Sequence, residues 1–204
     1  PSIKGSETPL VLYALRRADD ALILGHRLSE WCGHAPMLEE DMALANMALD
    51  LLGQARELYS HAAKVEGKNN DEDKLAYLRD VRQYRNVLLV EQPNGDFART
   101  MVRQFFYIVF ADLYWRAMMS SKDATLAAIA ARSEKETAYH VRHSSEWIVR
   151  LGDGTGESNA RAQEAIEHLW AYTGEMFEID DAERGLIDAG IAVDPAPLRV
   201  QWLK

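Results

Sequence analysis

Six positions in this sequence fall where a carboxylate-bridged pair of metal ions inside a four-helix bundle would draw its ligands: Glu30, Leu51, Gln54, Gln104, Thr137 and His140. In such a bundle two helices give one carboxylate each, and the other two each give a Glu-x-x-His pair. The i, i+3 spacing sets both members of a pair on one inner face, where carboxylates bridge the ions and imidazoles cap them. The chemistry would be activation of O₂, and it requires enough charge and enough ligands on both ions. The residue types do not supply this. No Glu-x-x-His occurs. The first pair is replaced by Leu51-Leu52-Gly53-Gln54, and the second by Thr137-Ala138-Tyr139-His140, with Glu136 one residue out of step. Gln104 lies where a lone carboxylate would serve. Only Glu30 and His140 keep a ligand's chemistry, and two ligands on different helices do not hold a two-metal centre.

Each of these residues also has a plain structural reading. A histidine on an apolar stripe, as His140 is, reads as a hydrogen-bonded core residue. Gln104 reads as a polar core residue with its amide satisfied by a neighbour, since an unpaired buried amide is costly. Glu30 shares a face with Ile23, His26 and Arg27, so periodicity does not say whether it points inward. The pairs His140/His143 and Glu30/His34 have spacings compatible with a metal, but Gly33 and Pro36 disrupt the helix around His34, and His143 faces partly away from the main stripe. Trp115, Trp147 and Trp170 read as core or helix-contact residues. The run RDVRQYR (79–85) reads as a solvated or partner-facing surface.

The elements that must position these residues are helices. Thr8-Pro9 caps and starts the first, which is expected to reach Cys32 before Gly33 and Pro36 force a turn. The second is expected over 38–66, opening on Glu39, Glu40 and Asp41 at the positive end of its dipole. Its stripe Leu44, Ala48, Leu51, Ala55, Leu58, Ala62 adjoins a second one with Met42, Ala45, Leu49, Leu52 and Tyr59. So wide an apolar arc predicts neighbours on more than one side, with Asn46, Asp50, Gly53, Gln54 and Glu57 on the remaining face. GKNNDEDK reads as a loop, 74–89 as short helical pieces and EQPNGDF as a turn. A third long helix from Asp96 carries Phe97, Met101, Gln104, Ile108, Ala111, Trp115 and Met118. A fourth, over 124–151, carries Leu126, Ala130, Ser133, Thr137, His140, Ser144, Trp147 and Leu151. A fifth is expected over 157–177, followed by a shorter helix and an extended VDPAP tail. No strand-period run, repeat or low-complexity stretch is present. The fold class is all-α: a ferritin-like bundle of four long core helices with additional shorter ones, as one domain over 1–204.

Composition narrows the function class. A formal net charge of −9 without a basic run argues against phosphate-backbone binding. The single cysteine, Cys32, excludes an intrachain disulfide framework. Hydrophobic content of 48% and a mean hydropathy of −0.29 describe a globular chain with no membrane-spanning run. The segment PSIKGSETPL has neither an apolar signal core nor a basic amphipathic helix, so a cytoplasmic protein is expected.

The segments LSEWCGHAP, ALANMALDLLGQAREL, RNVLLVEQPNGDFA, ETAYH (136–140) and AVDP closely resemble the C-subunit family of the bacterial phenylacetyl-CoA epoxidases, multicomponent oxygenases of aerobic phenylacetate catabolism. The resemblance covers almost the whole chain from Leu10. It implies a ferritin-like subunit that has lost its iron ligands and supports a catalytic paralogue, the A subunit. That paralogue carries a di-iron site and epoxidises the aromatic ring of phenylacetyl-CoA. It further implies a small B subunit and a reductase that brings electrons from NADPH through FAD and an iron–sulfur cluster. Glu30, Leu51, Gln54, Gln104, Thr137 and His140 occupy the family's vestigial ligand positions, with no catalytic residue and no cofactor expected in this chain. Family members continue past the position of Lys204, so a chain shortened at its C-terminus is expected.

Overall fold

The computed structural model of the chain describes residues 8–204; the polar lead-in before Thr8 lies outside them. Four long helices carry the fold: α1 (Pro9–Ser29), α2 (Leu38–Glu66), α5 (Phe97–Met118) and α6 (Ala124–Gly152). Shorter helices are α3 (Glu72–Tyr77), α4 (Leu88–Glu91), α7 (Gly156–Trp170), α8 (Asp181–Asp188) and α9 (Leu198–Trp202), with single 3₁₀ turns at Val81–Gln83 and Gly174–Phe177. Among the described residues there is no strand, and no helix is long and apolar enough to cross a membrane.

Local chemistry sets the boundaries. The Thr8 side chain accepts from Val11 N at the start of α1, and Asp96 and Asp123 do the same for Arg99 N and for Thr125 and Leu126 N at the starts of α5 and α6. Gly67, at φ 66, closes α2 in the left-handed conformation that glycine adopts without penalty. Three expected boundaries shift. The first helix stops at Ser29 rather than Cys32, because Trp31, Cys32 and His34 close tighter turns onto Leu28, Ser29 and Trp31. The fifth helix stops at Trp170 rather than reaching Phe177: the Thr173 hydroxyl donates back to the Trp170 carbonyl at 2.8 Å, and Gly174 follows. The VDPAP segment lies outside any helix, but the tail does not end there: α9 follows it, and Trp202 anchors that helix by donating to Phe106 O at 2.9 Å.

α1 packs antiparallel on α2, and α5 on α6; the two hairpins then face each other, with α7 and α9 against α5 and α8 against α1. The α1/α2 approach is close at Gly25, where a Cβ would come within 3.3 Å of Ala48 O and Leu51 Cβ. The stripe Leu44, Ala48, Leu51, Ala55, Leu58, Ala62 is buried as expected, as are Met101, Ile108, Ala111, Trp115 and Met118 of α5. The adjoining stripe of α2 is buried only in part: Tyr59 is buried, and Ala45 and Leu52 are half-buried. Met42 and Leu49 are exposed while Gln54, assigned to the polar face, is buried. The arc is rotated because the α6 side of α2 is polar and finds polar partners there.

In the crossover from α2 to α5, residues 67–96, the run 79–85 exposes Asp80, Arg82 and Arg85 as expected of a solvated face, and Arg79 is the correction to that reading. Arg79 is buried, with its guanidinium paired to Asp19 of α1 and held 4.4 Å from the Tyr84 ring. Asp19 also accepts from the Tyr59 hydroxyl at 2.5 Å and from Arg85 N at 2.8 Å. Its neighbour Asp20 accepts from Val87 N at 2.8 Å. Two adjacent carboxylates of α1 thus fasten an otherwise irregular crossover. Replacing Asp19 by alanine leaves a buried guanidinium unpaired and should lower the unfolding free energy by about 3–5 kcal/mol. Urea denaturation should show a lower midpoint at unchanged slope; a loss below about 1 kcal/mol would put the pair among ordinary contacts.

Candidate functional site

The facing sides of α2 and α6 form a ladder of polar pairs. Glu40 Oε2 lies 2.8 Å from His143 Nε2, and Asp50 Oδ2 lies 3.0 Å from His140 Nε2. Gln54 Nε2 donates to Glu136 Oε2 at 2.9 Å. Arg132 reaches Glu57 at 2.6 Å and Glu136 at 3.3 Å, and His61 meets Asp123 at 3.1 Å. The order runs antiparallel, so the pairs fix the register of the two hairpins. A carboxylate opposite Nε2 places the imidazole proton there. The other ring nitrogens of His140 and His143 have no partner.

Five of the six positions singled out in the sequence come to this interior. Leu51, Gln54, Gln104, Thr137 and His140 are all buried. Thr137 donates to Glu134 O at 3.1 Å and lies 3.4 Å from Asp112, which is held by Arg116 at 2.9 Å. Gln104 is fully buried with both amide atoms unpaired, contrary to the satisfied core glutamine expected. Glu30 is not brought to them. It caps the end of α1 with half its side chain exposed, and accepts from Arg27 and from Asn94, each at 2.9 Å. The α1 residue that faces Leu51 is Gly25. His140 is a hydrogen-bonded core histidine, with Asp50 as a partner that periodicity assigns to the polar face. His143 is largely buried rather than turned away.

These residues do not fit a two-metal centre. Leucine and threonine stand at two positions and amides at two more, and the Nε2 of His140 is engaged with Asp50. Among the described residues no three His, Cys, Asp or Glu side chains are grouped to hold an ion.

Glu30 belongs to a different device, one that periodicity and spacing do not reveal. Arg103 is buried and donates to Gln92 O at 2.5 Å and Asn94 Oδ1 at 2.6 Å. Asn94 donates to Arg27 O at 2.8 Å as well as to Glu30, and the Thr100 hydroxyl donates to Asn94 O at 3.0 Å. The QPNG turn is thereby clamped between α1 and α5. Burial, with Arg27 adding repulsion, pulls the Arg103 pKa down to about 9.

A second buried polar layer, likewise unforeseen in the sequence, lies between α1 and α5. The hydroxyls of Tyr13 and Tyr114 are hydrogen-bonded, and the Arg17 guanidinium sits 5.2 Å from the Tyr114 ring and 3.2 Å from Asp20. Burial pushes Tyr13 up to about 12 and Asp20 up to about 6, the latter against the pull of Arg17. The available signal was RRADD inside an otherwise apolar helix, where charge makes sense only if paired.

Two antiparallel helix hairpins joined by a long crossover, with polar layers inside, define the class: an all-α, ferritin-like helix bundle. The chain belongs to the phenylacetic acid catabolic protein family, whose model matches residues 2–204. It is 51% identical over 193 residues to the C subunit of the 1,2-phenylacetyl-CoA epoxidase of Escherichia coli (strain K12), covering 95% of this chain and 77% of that relative.

The raised pKa of Asp20 has a definite sign. Between its ordinary value and about 6 the folded state binds the extra proton, so this group's contribution favours folding at low pH and is lost as pH rises through about 6. The stability difference between the native chain and Asp20→Asn should therefore change by about 2–3 kcal/mol between pH 4 and pH 7. A difference independent of pH would show that Asp20 is ionised throughout.

Proposed function

We propose that the chain is a non-catalytic, structural subunit of a multicomponent phenylacetyl-CoA ring epoxidase of aerobic phenylacetate degradation, acting in the cytoplasm beside a catalytic di-iron paralogue. The observation that carries this reading is the set of buried positions where a di-iron bundle would be ligated: Leu51, Gln54, Gln104 and Thr137 present no carboxylate, and His140 is hydrogen-bonded to Asp50. The 51% identity to the C subunit of an epoxidase supplies the pathway. On this reading the iron belongs to the A subunit, and FAD, the iron–sulfur cluster and NADPH belong to the reductase, with a small B subunit as the remaining component. The chain's contribution is mechanical. A rigid bundle packed on the catalytic paralogue holds the helices that carry the iron ligands, whose geometry depends on such support.

A second reading, a metal-binding oxygenase in its own right, takes some support from Asp50 and Glu136, which stand on the same seam as His140 and Gln54. Plasma mass spectrometry separates the two. Purified alone after growth in iron, the chain should carry well under a tenth of an equivalent of iron. In complex with the paralogue, iron should follow the amount of paralogue. Near-stoichiometric iron in the isolated chain, lost in His140→Ala, would overturn the structural reading in favour of the enzyme.

A further inference from the structure

Four of the chain's eight tyrosines, Tyr13, Tyr59, Tyr107 and Tyr114, are buried around the two carboxylates of α1. Phenylalanine would fill the same space with no hydroxyl to satisfy, and a buried polar group without a partner costs about 1–3 kcal/mol. Tyr13 and Tyr114 satisfy each other. Tyr59 donates to Asp19, but that carboxylate is already engaged by Arg79 and by Arg85 N. Tyr107 is placed differently, with its hydroxyl directed at Asp20. Asp20 accepts from Val87 N through Oδ1, while its Oδ2 faces Arg17 across 3.2 Å without a hydrogen bond. One buried phenol thus stands against a buried carboxylate with acceptor capacity to spare. Burial also raises that carboxylate's affinity for a proton, to a pKa of about 6. Along α5 the rings continue from Tyr107 to Phe110 at 6.2 Å, to Tyr114 at 5.5 Å and to Trp115 at 5.8 Å between centroids.

A buried phenol gives up an electron readily only if its proton has somewhere to go, because a cationic phenol radical in a low-dielectric interior is costly. We propose that Tyr107 is a one-electron redox site with Asp20 as its proton acceptor, its electron leaving by way of Tyr114 and Trp115. In the forward step the O–H bond of Tyr107 breaks, the electron passes to the oxidant and the proton moves to Asp20. A neutral phenoxyl radical is left beside a neutral carboxylic acid. Arg17 loses its charged partner in that step but keeps the faces of Phe110 and Tyr114, 5.9 and 5.2 Å away. In the reverse step a reductant, such as a thiol, returns the electron and Asp20 returns the proton. The oxidant is a strong one-electron acceptor of the class of an oxygen-centred radical. That such species arise beside this chain rests on the function proposed above, in which O₂ is activated in a neighbouring subunit. The site takes up oxidising equivalents that escape that reaction.

The test exposes the isolated full chain to a synthetic oxidant, photogenerated ruthenium(III) tris-bipyridine, and reads freeze-quenched electron paramagnetic resonance. The native chain should hold a neutral tyrosyl signal for seconds, whereas exposed phenoxyls, as at Tyr77 and Tyr139, couple and decay sooner. Tyr107→Phe and Asp20→Asn should each lower the long-lived signal by about tenfold or more, and Tyr77→Phe should leave it unchanged. Site-specific replacement of Tyr107 by 3-fluorotyrosine keeps the shape and the hydroxyl, so it reports even where the phenylalanine variant folds poorly; it should add a fluorine splitting to the spectrum. No long-lived signal in the native chain, or a signal without that splitting, would overturn the site and leave the proposed subunit role standing. A signal that survives Tyr107→Phe and is lost in Tyr59→Phe would assign the chemistry to Asp19 and overturn the pair named here. In the complex with the catalytic paralogue, Tyr107→Phe should shorten the active lifetime under turnover by about twofold or more; an unchanged lifetime would overturn the protective use.

Discussion

The structure depends first on the burial of two neighbouring carboxylates in α1. Asp19 and Asp20 are fully buried, and a buried charge persists only if it is paired and hydrogen-bonded. Arg17 of α1 and Tyr59 of α2 supply part of the pairing, and the crossover supplies the rest: Arg79 and the amides of Arg85 and Val87. Its path is therefore set by electrostatics, since this stretch has little regular structure to set it otherwise. Once residues 79–87 lie along α1, α4 and the QPNG turn follow, and Arg103 and Asn94 clamp that turn against the start of α5. The second hairpin enters the bundle at a position dictated from the first.

The long hairpins are then joined by two polar layers, not by apolar packing alone. Between α1 and α5 the layer is buried and built of tyrosines around Arg17; between α2 and α6 it is a ladder of carboxylates with histidine, arginine and glutamine. Apolar contacts tolerate sliding by a fraction of a turn. A ladder of specific pairs from Glu40–His143 to His61–Asp123 does not, because a shift would strand several partly buried groups at once. The ladder thus does for register what metal ligands do in a bundle that has them. Gln104 belongs to neither layer: its buried amide, like Trp115 Nε1, pairs with nothing.

Much of this was legible in the sequence. The 4-3 spacing of Leu44 to Ala62, Met101 to Met118 and Leu126 to Ser144 places the long helices and their inner faces, since a helix must bury a continuous stripe. The capping residues Thr8, Asp96 and Asp123 place three starts. The absence of Glu-x-x-His was equally plain. Pairings between distant segments were not legible. Nothing local distinguishes Arg79 from its neighbours in RDVRQYR, and its burial follows from Asp19, sixty residues earlier. Asp50 and Gln54 sit on the polar side of α2 by periodicity, and only the presence of α6 there brings them inside or onto the seam. Glu30 shows the opposite error. Its residue type suggested an inner ligand, but α1 ends beside it and turns its carboxylate to the QPNG turn.

The same distinction separates what this chain explains by itself from what it does not. The glycine at 25, the arginines at 79 and 103 and the aspartates at 19 and 20 each answer to a contact within the bundle. The exposed stripe of Leu38, Met42 and Leu49 on α2, with Gly53 one turn further on, answers to none. A free-standing bundle would gain from alanine at 53 and from polar residues at 38, 42 and 49, and the helix carries neither.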